Sequence, residues 1–250
     1  MPIMKTYAKQ KGFSLVELAI TIVIVGLMVA GVTSGLHLMQ AAKINQVISE
    51  ITGYTKGVEN FRLKYNALPG DFPVAASIWG AYAAGPPITG AHNGNGDEQI
   101  SGDLTESLYA WRHLVLANMI IGDYSGADAG TPDYIAGTNV PSSQAYEGRH
   151  YFLSKFNNIF NTYGNILQFG SNQTDTKPWG ASLTPADANI IDGKIDDGAP
   201  TTGDVFFFRG DEYAAINGSC VDDTWDAASA NAILTDNTVS CRLIVWLTKN

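Results

Sequence analysis

Glu17 is the only formally charged side chain between Lys11 and Lys43, and it sits at the head of an apolar run. A carboxylate at the centre of a bilayer costs about 2.5–3.5 kcal/mol, and less near the interface. Glu17 therefore calls for a cation, and no basic side chain lies within one helical turn of it in the apolar direction. The remaining sources are a positive charge created by chain cleavage or one brought by another subunit. Cys220 and Cys241, the only cysteines, could pair as a disulfide or stay as two thiols. A metal site on them is disfavoured, because none of His37, His92, His113 or His150 is near either cysteine in sequence. Asn93, Asn95 and Asp97 set oxygen side chains at alternate positions, with Ile100 where calcium loops often carry an apolar residue. Calcium takes about six to eight oxygens, several from carboxylates. Glu98 stands where an EF-hand needs its turn glycine and Leu104 where it needs its bidentate acid, so this loop is not an EF-hand. Asp103 or Glu106 would complete an irregular site. Asp192-Gly193-Lys194-Ile195-Asp196-Asp197-Gly198 is a second acidic loop of the same kind. For both, a solvated turn is the competing reading. No nucleophile elbow, phosphate loop, paired-histidine zinc motif or dinucleotide fingerprint is present, which leaves an enzyme without visible machinery.

The elements that must hold these residues follow from the hydrophobic pattern. Leu18 to Ala42 is 25 residues without a formal charge, and a bilayer-spanning helix needs about 20 apolar residues. Cleavable secretory signals have shorter apolar cores, about 7–15 residues, followed by a small-x-small site. A buried helix of a soluble domain would be amphipathic, whereas Leu18 to Val32 is apolar all round. A plain signal-anchor would explain the lysines and the apolar run but not the acid. Lys5, Lys9 and Lys11 precede the span and residues 1–12 hold no acid, so the positive-inside bias leaves this end in the cytoplasm and the rest outside. The net charge is −9, and would be −12 without those three lysines. With no Lys/Arg cluster, this argues against nucleic acid as a partner. Beyond the span, Ile44, Val47, Ile48, Ile51, Tyr54, Val58, Phe61 and Tyr65 recur at spacings of three and four, one apolar face of a helix. No proline occurs between Phe13 and Leu68. One helix is expected over 13–68, membrane-spanning at about 13–38 and amphipathic after it. Gly31 and Gly35 within it have the small-xxx-small spacing of close helix approach.

The order of a basic leader, Gly12, Phe13, Ser14-Leu15-Val16, Glu17 and an apolar helix resembles the prepilin N-terminus of type IV pilins and pseudopilins. The resemblance covers about residues 5–45. It implies that residues 1–12 are a leader, that a prepilin peptidase cuts between Gly12 and Phe13, and that the new amine of Phe13 is methylated. It further implies that Glu17 meets that amine on a neighbouring subunit, which supplies the missing cation. The implied partners are the prepilin peptidase, other pilin subunits and an inner-membrane assembly platform. The implied location is the bacterial inner membrane as a single-pass precursor, then a periplasmic or cell-surface filament. Lys64-Tyr65-Asn66-Ala67-Leu68-Pro69-Gly70-Asp71 also resembles the segment after the helix in many pseudopilin-like proteins. Many pilins close an exposed C-terminal loop with a disulfide, which here would join Cys220 and Cys241. Many family members also have a proline in the apolar helix, where this chain has Gly31-Val32-Thr33-Ser34-Gly35. The major pseudopilins of type II secretion carry calcium in their globular domain, although neither acidic loop matches that site residue by residue.

Residues 69–250 are the external part, of a size that fits one domain. Pro69-Gly70-Asp71 is turn chemistry. Segments 80–102 and 122–144 read as long loops, separated by a helix with Asp103 as N-cap, Glu106 at capping-box spacing, and Leu104, Leu108, Trp111, Val115 and Met119 on one face. Tyr151–Leu153 and Ile166–Phe169 are short strand candidates. A helix starts at Thr184 with Pro185 at N1 and is expected to end by Gly193. Asp204–Arg209 and Ser240–Thr248 are the strongest strands. The fold class is α+β, an antiparallel sheet on the amphipathic half of the long helix. The function expected is a structural subunit polymerised through that helix. A membrane-anchored binding or adhesin domain that never assembles, and an anchored enzyme, are the competing classes.

Overall fold

The computed structural model describes residues 12–100, 105–127, 134–146, 148–157, 162–171, 180–210, 220–222 and 230–249. Helix α1, Leu15–Tyr65, is 51 residues long, as expected from an uninterrupted absence of proline. It ends three residues before the expected Leu68. Asn66 takes a left-handed φ of 50° while its N–H still bonds the Arg62 carbonyl at 2.8 Å, a way of closing a helix that suits asparagine. The chain divides into two compact units between Ala42 and Lys43, inside α1.

In the first unit α1 is the only element among the described residues, and its large apolar side chains from Phe13 to Met39 are exposed. In the second unit the helix buries Ile44, Val47, Ile51, Val58 and Phe61, with Ile48, Tyr54 and Tyr65 packed at the margin. Each such burial is worth about 1.5–3 kcal/mol. Gly57 is buried too, and a Cβ there would lie 3.0 Å from Cγ2 of Ile120, so a neighbouring loop occupies the space a side chain would fill.

The other elements are α2 (Ala75–Trp79), α3 (Thr105–Leu116), β1 (Arg149–Asn157), β2 (Thr162–Gly170), α4 (Pro185–Ile195), β3 (Val205–Arg209) and β4 (Cys241–Lys249). The sheet is four-stranded in the order β1-β2-β4-β3, antiparallel throughout. Strand alternation sends Leu167, Phe169, Val205, Phe207, Leu243 and Val245 into the same core as the α1 stripe. Ile166, Phe206, Phe208, Ile244 and Trp246 form a second cluster on the opposite face. A register shift at Asn165/Ile166 bulges the β2–β4 pairing.

Four elements differ from expectation. Strands β1 and β2 extend well beyond their apolar kernels, because hairpin pairing from Arg149–Gly170 to Asn157–Thr162 recruits polar residues that carry no hydrophobic signal. Helix α4 runs to Ile195 rather than stopping by Gly193: its last turn is closed by the Asp196 amide on the Asp192 carbonyl at 2.7 Å. The single-turn α2 was not expected, since five residues give too little periodicity to read. The expected cap Asp103 and the stripe residue Leu104 lie outside the described residues. Leu108, Trp111 and Leu114 are fully buried from α3, and the start of α4 is as expected, with the Thr184 hydroxyl accepting from the Asp187 amide at 3.2 Å.

Candidate functional site

Ser14 begins α1. Its hydroxyl accepts from the Val16 amide at 3.3 Å, and the Glu17 carboxylate accepts from the Ser14 amide at 2.9 Å. These two bonds satisfy amides that a helix start leaves open. The carboxylate also lies in the first turn, where the partial positive charge of the helix end favours an anion. Glu17 thus has a local hydrogen-bond donor besides the cation that its position in the apolar run calls for. The signal was the Ser14-x-x-Glu17 spacing, a capping box. Gly12 and Phe13 precede the helix, and Phe13 is 88% exposed. The leader lysines Lys5, Lys9 and Lys11 lie outside the described residues.

The rest of the apolar half has the length and composition to cross a membrane. Cβ atoms built at Gly26, Gly31 or Gly35 would meet nothing within 4 Å. The helix face around these glycines is open for the close approach of another helix. The hydroxyls of Thr21 and Thr33 bond back to carbonyls of the preceding turn, so the span presents no unsatisfied hydroxyl at those positions.

In the second unit, polar contacts fasten long loops to rigid elements. The Asp71 carboxylate accepts from the amides of Gly96, Asp97 and Glu98, the last two at 3.0 and 2.9 Å. Burial pushes its pKa up despite those three bonds. Gly70, at φ 88°, is obligatory beside it, because a Cβ there would collide with the Glu106 carbonyl. The Gly70 amide donates to His113 Nδ1 at 2.9 Å, so Nε2 carries the proton and donates to the His92 carbonyl at 2.8 Å. Burial drops the His113 pKa to about 4, leaving a neutral ring. The buried Asn165 at the sheet bulge accepts from the Ile100 amide at 2.7 Å and donates to the Glu98 carbonyl at 3.0 Å. Glu50 on α1 and His150 on β1 meet at 3.0 Å. Burial lowers the His150 pKa against the opposing pull of Glu50. Burial alone would raise Glu50, but its bonds to His150, Gln144 and Gln46 outweigh that and hold it low.

Each of the three residues expected to ligate calcium accepts a backbone amide, and Asn95 Nδ2 also donates to Asp97 Oδ2 at 3.1 Å. Asn93 Oδ1 accepts from the Ala76 amide at 2.8 Å. Asn95 Oδ1 accepts from the Asp97 amide and Asp97 Oδ1 from the Gln99 amide, both at 2.9 Å. Asp97 also joins Asp71 and Glu106 in a group of carboxylates whose ligand oxygens lie within 4.8 Å of one another. Asp71 was missed because it lies far from the loop in sequence. A second group is Asp192, Asp196 and Asp197, again within 4.8 Å. Cys220 and Cys241 form a disulfide with a Cα–Cα distance of 5.2 Å, both sulfurs fully buried. It ties a distant loop to the first residue of β4, one of the two inner strands of the sheet.

The chain matches the family model described as the prokaryotic N-terminal methylation motif over residues 7–33. That motif is the prepilin-type signature of type IV pilins and pseudopilins. No curated protein and no solved structure matches the chain.

Proposed function

We propose that this protein is a structural subunit of a type IV pilus or of a type II secretion-like pseudopilus, made as an inner-membrane precursor. The observation that carries this reading is the prepilin-type signature over residues 7–33 on a helix whose large apolar side chains from Phe13 to Met39 are exposed. So large an apolar surface requires lipid or another protein surface to cover it. In the membrane, lipid covers it. In a filament, the helices of other subunits cover it, and the open faces at Gly31 and Gly35 permit their approach.

A prepilin peptidase removes residues 1–12, cutting between Gly12 and Phe13, and the new Phe13 amine is methylated. The Glu17 carboxylate, held at the start of α1 by the Ser14 amide, accepts the Phe13 amine of a neighbouring subunit and sets the axial register. The N-terminus faces the cytoplasm in the precursor, and residues 69–250 lie outside. The globular part carries loops and a disulfide to the filament surface and does no chemistry of its own.

Mass spectrometry of mature protein from a host with a prepilin peptidase tests the reading. The expected product starts at methylated Phe13. A mature start at Met1, or one beyond Leu36, overturns it.

A further inference from the structure

Asp192 is fully buried, and neither of its carboxylate oxygens has a hydrogen-bond partner among the described residues. Buried carboxylates are ordinarily paired, hydrogen-bonded or bound to a metal, because an isolated buried charge is very costly. Among the described residues Asp192 has no such partner, yet it faces two further carboxylates. An oxygen of Asp192 lies within 4.8 Å of oxygens of Asp196 and Asp197. The spacing explains why. Asp192 and Asp196 are four residues apart at the end of α4, and the helix rise brings them to one face.

The surrounding chain holds this arrangement in place rather than neutralising it. Asp196 Oδ2 accepts from the amides of Asp204 and Val205. Asp197 accepts from the Ala199 amide at 2.8 Å and from the Thr202 hydroxyl at 2.5 Å. Gly203, at φ 75°, leaves the room that the Asp196 carboxylate occupies, since a Cβ there would collide with it. The one cation inside the loop, Lys194, donates instead to Asn45 Oδ1 at 2.9 Å. The site also lies at the C-terminal end of α4, where the partial negative charge of the helix adds to that of the carboxylates.

We propose that Asp192, Asp196 and Asp197 bind one calcium ion at the C-terminal end of α4, with Asp192 as its buried ligand. All three donors are hard oxygens, with no nitrogen or sulfur to select zinc. An irregular loop with two exposed carboxylates leaves positions for water, which suits the variable six-to-eight coordination of calcium better than the strict octahedron of magnesium. The ion turns a costly buried charge into the anchor that fastens the Asp196–Val205 loop to α4. The inference is independent of whether the chain polymerises.

The test uses full-length protein in detergent, stripped with a chelator. Calcium chloride is titrated by calorimetry, and thermal unfolding is followed with and without calcium. Wild type should bind calcium at one site, in the presence of excess magnesium, and melt at a higher temperature with it. Asp197→Asn, on the surface, should weaken binding by about tenfold or more, and Asp97→Asn should bind as wild type does. Asp192→Asn should lose the calcium-dependent rise while melting no lower than wild type in calcium-free buffer, because it removes a buried charge at constant shape. Absence of calcium binding in wild type overturns the proposal. So does binding that survives Asp197→Asn, or binding lost in Asp97→Asn, which would place the ion with Asp71 and Glu106. A calcium-free midpoint for Asp192→Asn below that of wild type would also overturn it, since the carboxylate would then be needed without an ion.

Discussion

The two halves of α1 are built from similar residues and have opposite environments. From Phe13 to Met39 the large apolar side chains are exposed, most of them more than half. From Ile44 onward the stripe is buried at Ile44, Val47, Ile51, Val58 and Phe61, with Phe61 and Val47 at 0% exposure, and half-buried at Ile48, Tyr54 and Tyr65. The first half has no polar face to turn outward, whereas the second alternates its apolar stripe with Asn45, Gln46, Ser49 and Glu59. The sheet and α3 therefore satisfy the second half alone. The stability of the globular unit and the competence of the subunit to insert or assemble should accordingly respond to different mutations on one continuous helix.

The sharpest way to break that comparison is to truncate one side chain in each half. Phe61→Ala should destabilise the globular unit by about 3–5 kcal/mol, the usual range for a fully buried phenylalanine. Val25→Ala should leave denaturant-induced unfolding of that unit unchanged within error. Both are read from denaturation of detergent-solubilised protein followed by tryptophan fluorescence. A loss of more than about 1 kcal/mol in Val25→Ala would mean that the apolar half is part of the same cooperative fold.

The disulfide lies wholly on the globular side. With a sequence separation of 21, the chain-entropy model gives it about 3 kcal/mol. Cys220→Ser should lower the unfolding midpoint accordingly and leave membrane insertion at the wild-type level. A free-thiol assay that found two reactive cysteines in native, unreduced protein would contradict the bond itself.

Much of this division was legible in the sequence, and its limits are instructive. The apolar run, the stripe from Ile44 to Tyr65, the Thr184-Pro185 helix start and the strands expected at 204–209 and 240–248, which the structure places at Val205–Arg209 and Cys241–Lys249, all announced themselves through composition, periodicity and capping chemistry. Strands β1 and β2 were legible only at their apolar centres, because Ser154, Lys155, Thr162 and Gly164 become strand through pairing. The strand order arises from contacts between residues far apart in sequence, so no local pattern contains it. The same reason hid Asp71, whose carboxylate organises the 96–98 amides from about 25 residues away. In the 93–97 loop the oxygen pattern was legible, but the approach of Asp71 and Glu106 to Asp97 was not, because it depends on the fold. The Asp192 loop was visible as acidic; its unpaired burial was not, because burial is a property of the packed core.

A smaller effect on the globular side comes from acid. The unfolded His113 pKa is about 6.5, and burial lowers it to about 4 in the fold. The unfolded chain therefore binds the extra proton first. The stabilising contribution of the neutral ring is complete above about pH 6.5 and is lost as pH falls towards 4, with an upper bound of about 3 kcal/mol. Other groups titrate in this window, so the measurement is a difference. The stability gap between wild type and His113→Gln should narrow as pH falls from 6.5 to 4. A gap that stays constant would mean the ring is not neutral, or not buried, in the fold.

The least effect on folding, and the greatest value in separating the two halves, belongs to the start of α1. Glu17 bonds the Ser14 amide while Ser14 caps the helix through the Val16 amide. Loss of either contact should cost about 1 kcal/mol of local helix stability. Neither change reaches the core, so unfolding of the globular unit should be unchanged in Ser14→Ala and in Glu17→Ala. The two readings of Glu17 part at assembly. If the carboxylate only finishes the helix end, the two variants share one defect and should enter filaments to the same reduced extent. If it also accepts the Phe13 amine of a neighbouring subunit, Ser14→Ala should assemble near the wild-type level, and Glu17→Ala should be cleaved, inserted and folded but largely left in the membrane. Glu17→Gln keeps an acceptor for the Ser14 amide and removes the charge, so it should follow Glu17→Ala under the subunit reading and wild type under the capping reading. The deciding quantity is the ratio of filament-bound to membrane-bound protein at equal expression. Equal ratios for Ser14→Ala and Glu17→Ala would remove the subunit contact from the account and leave Glu17 as a helix cap.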